Sequence, residues 1–214
     1  MIMSRTLIAA AFAAITAVMP AAAATISNTA TGGSIGNFGF PDSQTYGQVF
    51  VAPVTGTLDS FTLHLNGGVG DIVGAVGSWN GTAAHDFGFG SPATLVTSSP
   101  FPSGTGGAQS FSGLNVSVTA GNTYVAFLTV FGLFDTGLQT SMPLGDALPG
   151  GGYFVWNNTS DPFGNTSWNY FANFGNVLFE ANFTPTAVIP VPAALPLMLL
   201  ALGGLGIAAR RRRG

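Results

Sequence analysis

The sequence contains no cysteine and no lysine. Without cysteine the chain can form neither disulfides nor thiolate metal sites, and it has no thiol nucleophile. A domain without disulfides needs a substantial apolar core for its stability. The chain has 18 phenylalanines, together with many valines and leucines, and these residues can supply such a core.

Positive charge is scarce and lies only at the two ends of the chain. The basic residues are Arg5, Arg210, Arg211, Arg212 and Arg213, and all 8 acidic residues lie between them. Nucleic-acid binding relies on Lys and Arg to replace counterions. The composition therefore argues against a nucleic-acid partner, and equally against charge-driven binding of anionic lipids or acidic polysaccharides.

Residues 1–24 have the features of a secretory signal peptide. Arg5 provides a positive start, residues 7–18 form a short apolar run, and Pro20 ends that run before a row of alanines. Such a segment is removed during export. We expect cleavage after Ala24, with cleavage after Ala23 as the second choice, and a retained N-terminal anchor is the alternative.

The end of the chain combines an apolar segment with a block of positive charge. Residues 193–209 carry no charge, and this length is close to the minimum of roughly 17–25 residues that crosses a bilayer. The arginines that follow would stay on the cytoplasmic side, because moving them through lipid is costly. The pattern predicts a transmembrane helix with the body of the protein outside. The alternatives are a buried core helix and a permanent, unprocessed anchor.

A proline-containing motif precedes this helix and consists of Ile189, Pro190, Val191, Pro192 and Ala193. Together with the helix and the arginines, it resembles the PEP-CTERM class of bacterial sorting signals, most closely its VPLPA variant. The resemblance covers residues 188–214. It implies that an exosortase-type membrane enzyme recognises the tail and removes or exchanges it during delivery to the cell surface or the extracellular matrix. The motif lacks the Glu of the type pattern, and Ile189 and Val191 stand where the variant usually has Val and Leu.

Residues 25–187 are expected to form one all-β domain between these segments. Gly, Ser, Thr and Asn are abundant, which disfavours long helices and favours strands joined by tight turns. Residues 57–66 alternate clearly, with Phe61 and Leu63 on one face. Residues 123–131 are almost continuously apolar, which predicts a central strand buried on both faces.

Further strands are predicted at residues 24–28, 44–52, 71–79, 108–114, 115–119, 153–156 and 177–183. Residues 25–39 are otherwise expected to be a Gly-rich lead-in, residues 82–107 a long loop with a short strand at 94–97, and residues 132–152 irregular. About eight to ten short strands at close intervals predict an antiparallel β-sandwich with jelly-roll-like connections.

Four segments of this domain also carry a family resemblance. They read YGQVFVAP (46–53), LDSF (58–61), VGSWNG (76–81) and AGNTYV (120–125). They are similar to segments of uncharacterised exported bacterial β-sandwich domains that often carry such tails. The resemblance covers residues 44–131 and implies a fold, not a reaction.

Three patterns could serve hydrolysis. Asp59 and Glu180, both on predicted strands, are the pair of carboxylates that a glycoside hydrolase would need. A Ser-His-Asp site would need His64 or His85 beside a carboxylate. Residues 32–36 match the nucleophile motif Gly-x-Ser-x-Gly, but that motif requires a strand-to-helix turn and no helix is predicted there. We interpret the match as coincidence and the histidines as surface residues.

Aromatic side chains are the better candidates for binding. Trp79, Trp156, Trp168 and Tyr153 can stack on sugar rings, and nearby Asn-rich loops can hydrogen-bond to hydroxyl groups. The alternative is that these rings pack in the core or at its edges.

A calcium site would need several oxygen ligands close together. The sequence contains no continuous calcium-binding loop, so Asp71, Asp135 and Asp146 could contribute only as ligands from separate loops. No cofactor is expected.

The sequence favours an exported, surface-sorted and non-enzymatic β-sandwich protein, a component of the extracellular matrix or envelope. Its expected partners are the secretion machinery, an exosortase-type enzyme, the membrane through the C-terminal helix, and extracellular polysaccharide. The precursor would be membrane-anchored, and the processed protein would lie at the cell surface or outside the cell. A carbohydrate-binding module is the first alternative, and a glycoside hydrolase-like enzyme is the second.

Overall fold

The computed structural model describes residues 22–82, 84–85, 96–97, 101–133, 138–158, 160–164, 168–170 and 175–187. Within these residues the regular secondary structure consists of strands, with no helix. The pairings between these strands are antiparallel. The expectation of an all-β fold built from antiparallel strands is therefore confirmed.

The strands of the described residues are, in chain order, β1 (Ala24–Ser27), β2 (Ala30–Phe38), β3 (Thr45–Val51), β4 (Gly56–Leu65), β5 (Asp71–Trp79), β6 (Ala84–His85), β7 (Val96–Thr97), β8 (Phe101–Pro102), β9 (Gly107–Val118), β10 (Thr123–Thr129), β11 (Thr140–Gly145), β12 (Gly152–Asn157), β13 (Asn169–Tyr170), β14 (Asn176–Val177) and β15 (Phe179–Pro185).

Two of the sheets face each other across the core. The small sheet has the strand order β1-β15-β4-β9, and the large sheet has the order β13-β12-β3-β10-β5-β6, with β7 and β8 also paired to β5. The ring of Phe50 in β3 lies 5.4 Å from the ring of Phe179 in β15, so side chains of the two sheets meet directly. These facing sheets form the sandwich that the strand pattern predicts.

A third sheet, with the order β14-β11-β2, connects the other two along one side. The backbone N–H of Asn66, just after β4, donates to the oxygen of Ser141 in β11 at 2.8 Å. The backbone N–H of Phe154 in β12 donates to the oxygen of Gly175, just before β14, at 2.9 Å. We call this the bridging sheet, because it contacts strands of both facing sheets.

The small sheet follows the predicted period of two. In β4, Phe61, Leu63 and Leu65 are buried, whereas Thr62 and His64 between them are only half-buried. Successive side chains of a strand point to opposite faces, so the apolar set faces the core and the polar set faces outward. This confirms the predicted pattern for residues 57–66.

The central strands of the large sheet are buried on both faces. Residues 124–129 of β10 are all buried. Ala126 and Leu128 belong to the main core between the sheets, whereas Val125 and Phe127 belong to a second cluster on the opposite face. This confirms that residues 123–131 contain a central strand.

A glycine in the large sheet leaves room for a ring of the small sheet. A Cβ atom on Gly74 in β5 would overlap with the Cε1 and Cζ atoms of Phe111 in β9. That ring is stacked on Phe61, with centroids 4.6 Å apart. Position 74 therefore has no space for a side chain while the rings keep this arrangement.

A network of amide side chains, buried at Gln48 and Asn176 and half-buried at Asn28, joins all three sheets. Gln48 of β3 donates through Nε2 to Asn176 Oδ1 at 2.8 Å and accepts the backbone N–H of Val177 at 2.9 Å. Asn28, just after β1, donates to the backbone oxygens of Val177 at 2.9 Å and Asp146 at 3.1 Å. The amides thus pair with polar groups of a neighbouring sheet, and at the buried position of Gln48 a polar group without a partner would cost free energy.

The bridging sheet corrects two predictions. β2 occupies residues expected to be a lead-in, and β11 occupies part of a region expected to be irregular. β2 is exposed along most of its length, so it lacks apolar alternation, and pairing with β11 sets its position. The prediction of a lead-in without a strand at residues 30–38 is wrong for this reason.

Two further predictions change in detail. The predicted break between residues 114 and 115 is a bulge inside one continuous strand, β9, where residues 113–115 lie opposite Asp59. Gly113 and Asn115 accommodate the bulge with φ values of +69° and +54°. Within the predicted loop at 82–107, β6, β7 and β8 are short strands, and β7 overlaps the strand predicted at 94–97.

Candidate functional site

A polar groove lies where β2 ends and β3 begins. Its first part has a volume of about 350 Å³ and is lined by Gly36, Asn37, Pro41, Asp42, Ser43, Tyr46 and Asn158. A second part, also of about 350 Å³, is lined by Gly36, Asn37, Gln139, Thr140 and Ser141. We call these two adjoining parts the amide groove.

A tight backbone turn forms one wall of the groove. The N–H of Gly39 donates to the oxygen of Ser43 at 2.9 Å, and the N–H of Ser43 donates to the oxygen of Asn37 at 3.2 Å. Asn37 has φ +66°, a left-handed conformation that Asn tolerates better than most residues. Gly39 has φ +127°, and a Cβ atom there would clash with the backbone oxygen of Leu138. The local sequence therefore fixes the shape of this wall.

Hydrogen bonds between distant residues hold the polar groups of the groove. Gln139 Nε2 donates to Asp42 Oδ2 at 2.9 Å, and Ser43 Oγ donates to Asn158 Oδ1 at 2.7 Å. The hydroxyl of Tyr46 donates to the backbone oxygen of residue 36. These contacts bring together three segments that lie far apart in the sequence.

Burial raises the pKa of Tyr46 above its ordinary value of 10.0. The charge of Asp42 acts in the same direction, and a hydrogen bond with Ser43 opposes it. Tyr46 is therefore a neutral hydrogen-bond donor at physiological pH. Asp42 is the one charged side chain among the residues that line the groove.

Two apolar side chains stand next to the groove in the described structure. Phe40 lies in the turn between Gly39 and Pro41 and is 40% exposed, and Leu138 is 50% exposed beside Gln139. An exposed ring next to amide and hydroxyl groups is a common arrangement where proteins bind sugars or other small polar ligands.

Three of the aromatic residues predicted to contact glycans lie on the outer face of the large sheet. Trp79 and Trp168 are 7% and 4% exposed and pack, with half-buried Tyr153, in a cluster that also contains Phe127 and Val155. Trp79 Nε1 donates to the Tyr153 hydroxyl at 2.6 Å. The edge of Trp79 also lines a concavity of about 480 Å³ at the end of β5. These rings mainly form a second core.

Tyr170 provides the most accessible aromatic ring described on this outer face. Tyr170 is 51% exposed, and its ring lies 5.6 Å from that of Tyr153. The Nε1 of Trp168 is buried and has no hydrogen-bond partner among the described residues. Trp156 lies elsewhere: it packs against the main core, stacked on Phe154 with centroids 5.6 Å apart. The four predicted residues therefore do not form one surface.

The carboxylates weighed for hydrolysis lie on the outer side of the small sheet. Asp59 Oδ2 accepts from the Thr184 hydroxyl at 2.7 Å, and Glu180 Oε1 accepts from Asn182 Nδ2 at 3.0 Å. Their partners Asn182 and Thr184 are two residues apart on β15, which corresponds to about 7 Å along a strand. The hydrogen bonds thus hold the two carboxylates at different positions along β15.

The remaining candidates for catalysis are also separate. Burial lowers the pKa of His64, and the negative charge of Glu180 partly opposes that shift. The side chain of His85 lies outside the described part of the structure. Ser34, in the Gly-x-Ser-x-Gly match, is in the middle of strand β2, not at a strand-to-helix turn.

No group of three or more His, Asp or Glu side chains is arranged to hold a metal ion within the described residues. Asp71 begins β5, and Asp146 Oδ1 accepts the backbone N–H of Thr29 at 2.8 Å. Asp135 lies outside the described residues, so the structure gives no placement for it.

The predicted sorting motif, the transmembrane helix and the arginines at 210–213 all lie outside the described residues. Among the residues that are described, none belongs to a helix long and apolar enough to cross a membrane.

Comparison with known proteins yields little similarity. No protein-family model matches the chain, and no curated protein matches it. One similar crystal structure contains the cysteine protease and lectin-like domains of Cwp84, a surface layer associated protein of Clostridium difficile. It is 13% identical, with a TM-score of 0.43, over 67% of this chain and 32% of that one. The chain thus spans about a third of that structure, and its function must be argued from its own residues.

The residues of the amide groove were not predicted as a site. The turn at Pro41 and Asp42 is recognisable in the sequence, but Asn158 and Gln139 reach it only through the pairing of β12 with β3 and of β11 with β2. The sequence signal was limited to a Gly-rich segment that ends in Phe-Gly-Phe-Pro-Asp and has Asp42 as its one charged residue.

Proposed function

We propose that this chain is an exported, surface-sorted and non-enzymatic protein of the extracellular matrix or envelope. A signal peptide directs its export, and a jelly-roll-like β-sandwich forms its body. The PEP-CTERM-like tail holds the precursor in the membrane until an exosortase-type enzyme processes it at the cell surface.

The position of the folded unit carries this proposal. The compact unit runs from Ala22 to Thr186, and these ends fall beside the predicted signal cleavage site and the predicted sorting tail. Ala24 in β1 pairs with Phe183 in β15, so both ends of the unit lie on neighbouring strands of one sheet. Cleavage after Ala24 would remove only the first residue of β1 and leave Thr25 to Ser27 paired with β15, so this body can lose both flanking segments and retain its core.

The arrangement of polar residues supports a role without catalysis. Asp59 and Glu180 are each held by a side chain of β15 on the outer side of the small sheet. The described cavities of about 480 and 350 Å³ are lined by other residues, whereas a glycoside hydrolase places its two carboxyl groups on either side of a bound sugar. Hydrolysis of a polysaccharide by this protein that stops in Glu180→Gln would contradict the non-enzymatic assignment.

The test of sorting is the intact mass of the protein in each cell fraction of its host. We expect a chain that ends near residue 190 in the medium or matrix. Replacing Pro190 and Pro192 with Ala should leave the full-length chain in the membrane, whereas the linker control Thr186→Ala should be processed normally. A wild-type chain that ends at Gly214 and occurs only in membranes would mean a permanent anchor.

A carbohydrate-binding module is the second candidate, and the exposed ring of Tyr170 against Tyr153 favours it. Aromatic faces stack on the apolar sides of sugar rings. This candidate predicts saturable binding to a neutral polysaccharide.

A further inference from the structure

We propose that the amide groove binds a neutral, hydroxyl-rich saccharide. The inference deepens the carbohydrate-binding candidate by giving it a site, and it rests on that candidate for the class of ligand. Each part of the groove has a volume of about 350 Å³, which lies in the range of small-molecule sites, roughly 300–1,000 Å³.

The groove offers both donors and acceptors that the protein itself does not use. The Asn37 side chain makes no hydrogen bond within the described structure, and Asn158 uses only its Oδ1, to accept from Ser43. Asp42 accepts from Gln139 through Oδ2 alone. An amide presents a donor and an acceptor side by side, and an ionised carboxylate accepts at both oxygens. Sugar hydroxyls both donate and accept, so neighbouring hydroxyls can pair with these groups.

The charge of the protein selects a neutral ligand. The region between the terminal arginines contains no Lys or Arg, and the groove contains the carboxylate of Asp42. A uronic acid, a sulfated sugar or a phosphate would therefore meet a negative charge and no Lys or Arg partner. A neutral saccharide carries no charge for Asp42 to repel and needs no Lys or Arg partner.

An apolar surface lies beside the polar groups. Phe40 is 40% exposed in the turn between Gly39 and Pro41, and Pro41 lines the groove. A pyranose has a face of C–H groups that packs on such a surface while its hydroxyls reach the amides.

The groove is already arranged for binding. The turn from Asn37 to Ser43 is closed by two backbone hydrogen bonds, and the side chains of Asp42 and Asn158 are held by Gln139 and Ser43. Groups that are fixed before a ligand arrives lose less conformational entropy when it binds. This favours measurable affinity from few contacts.

The experiment is an NMR titration of the full-length chain in detergent micelles. The probes are cellohexaose, maltohexaose and mannohexaose, with trigalacturonic acid as the charged counterpart. We expect at least one neutral probe to shift the backbone amide signals of Asn37, Asp42 and Asn158 saturably, while trigalacturonic acid leaves them unchanged.

Two matched variants test the role of the amide side chain. Asn37 and Asn115 both have positive φ, at +66° and +54°, so a change to Gly removes an amide from each without backbone strain. Asn37→Gly should weaken binding of the neutral probe about tenfold, by the loss of hydrogen bonds worth about 1.4 kcal/mol. Asn115→Gly, on the β9 bulge, should bind as the wild type does.

A wrong site, a wrong class of ligand and a wrong inference as a whole would each give a different experimental result. Binding that shifts Tyr153 and Tyr170 and persists in Asn37→Gly would overturn the groove as the site but keep the carbohydrate-binding module. Equal binding of trigalacturonic acid would overturn the assignment of a neutral ligand. No shift in the groove with any probe would overturn the inference, and processing of the tail would still decide the sorting proposal independently.

Discussion

Replacing Gln48 with methionine tests whether the buried amide network holds the three sheets together. Methionine is similar in length and flexible enough to fill the same space. The change removes the donor to Asn176 Oδ1 at 2.8 Å and the acceptor of the Val177 N–H at 2.9 Å. It also removes a contact at 2.9 Å to the backbone oxygen of Val49.

The expected loss follows from the groups that remain unpaired. Each buried donor or acceptor without a partner costs about 1–3 kcal/mol, so Asn176 Oδ1 and the Val177 N–H together should lower the free energy of unfolding by about 2–6 kcal/mol. A domain is typically stable by only about 5–15 kcal/mol. The melting temperature should fall by about 4–24 °C, at roughly 2–4 °C per kcal/mol for a chain of this size.

Urea unfolding followed by circular dichroism measures the change, with the m-value as a check that the unfolded state is the same. Gln109→Met is the matched control. Gln109 is also buried, but its side chain donates to the oxygen of Gly107, two residues away in its own strand, at 3.2 Å. The control should lose about 1 kcal/mol or less.

Equal losses in the two glutamine variants would refute the reasoning. In that case Gln48 would contribute no more than an isolated local hydrogen bond, and the large sheet and the bridging sheet would be joined by apolar packing and by other hydrogen bonds, such as that from the Phe154 N–H to the oxygen of Gly175. A large loss for Gln48→Met that disappears when Asn176 is also replaced would instead measure the coupling between the two amides.

Two further predictions concern packing and pH. Gly74→Ala should lower the free energy of unfolding by about 1–3 kcal/mol, because the new Cβ overlaps with the Phe111 ring. Gly36→Ala, where a Cβ meets no other heavy atom, is the control for the same urea measurement. Similar losses of stability in the two variants would contradict the close packing at position 74. For His64, burial lowers the folded-state pKa below 6.5 despite the charge of Glu180, so the unfolded chain binds more protons than the folded one. This contribution to stability is therefore complete above pH 6.5 and is lost as the pH falls from 6.5 through the lower folded-state pKa. An NMR titration of the imidazole should give a pKa below 6.5, and Glu180→Gln should lower it further; a rise in that variant would refute the stated cause.

The sequence identifies aromatic residues that could bind a sugar, but it does not show whether their rings are exposed. Tryptophan rings often stack on bound sugars, which made Trp79 and Trp168 candidates for binding, yet both rings pack into a second core. The large sheet is buried on both faces, so an aromatic residue at a strand end or in the next loop can serve as its cover. A sequence pattern does not distinguish a ring that covers a sheet from one that faces solvent.

The sequence by itself determined the features that depend on local pattern. Alternation in residues 57–66 specifies one inward and one outward face, and the continuous apolar run at 123–131 specifies burial on both faces, because side chains of a strand alternate strictly. The composition likewise determined that the body of the protein carries no Lys or Arg. These properties do not depend on which strands become neighbours.

Only the tertiary structure decided the features that depend on non-local pairing. β2 and β11 have little pattern of their own, and each is a strand because it hydrogen-bonds to the other across about a hundred residues. Gln48 occupies an inward position that would suit an apolar residue, and it is satisfied only because β14 supplies its partners. The amide groove arises in the same way, since Asn37, Asn158 and Gln139 meet only after β11 has paired with β2 and β12 with β3.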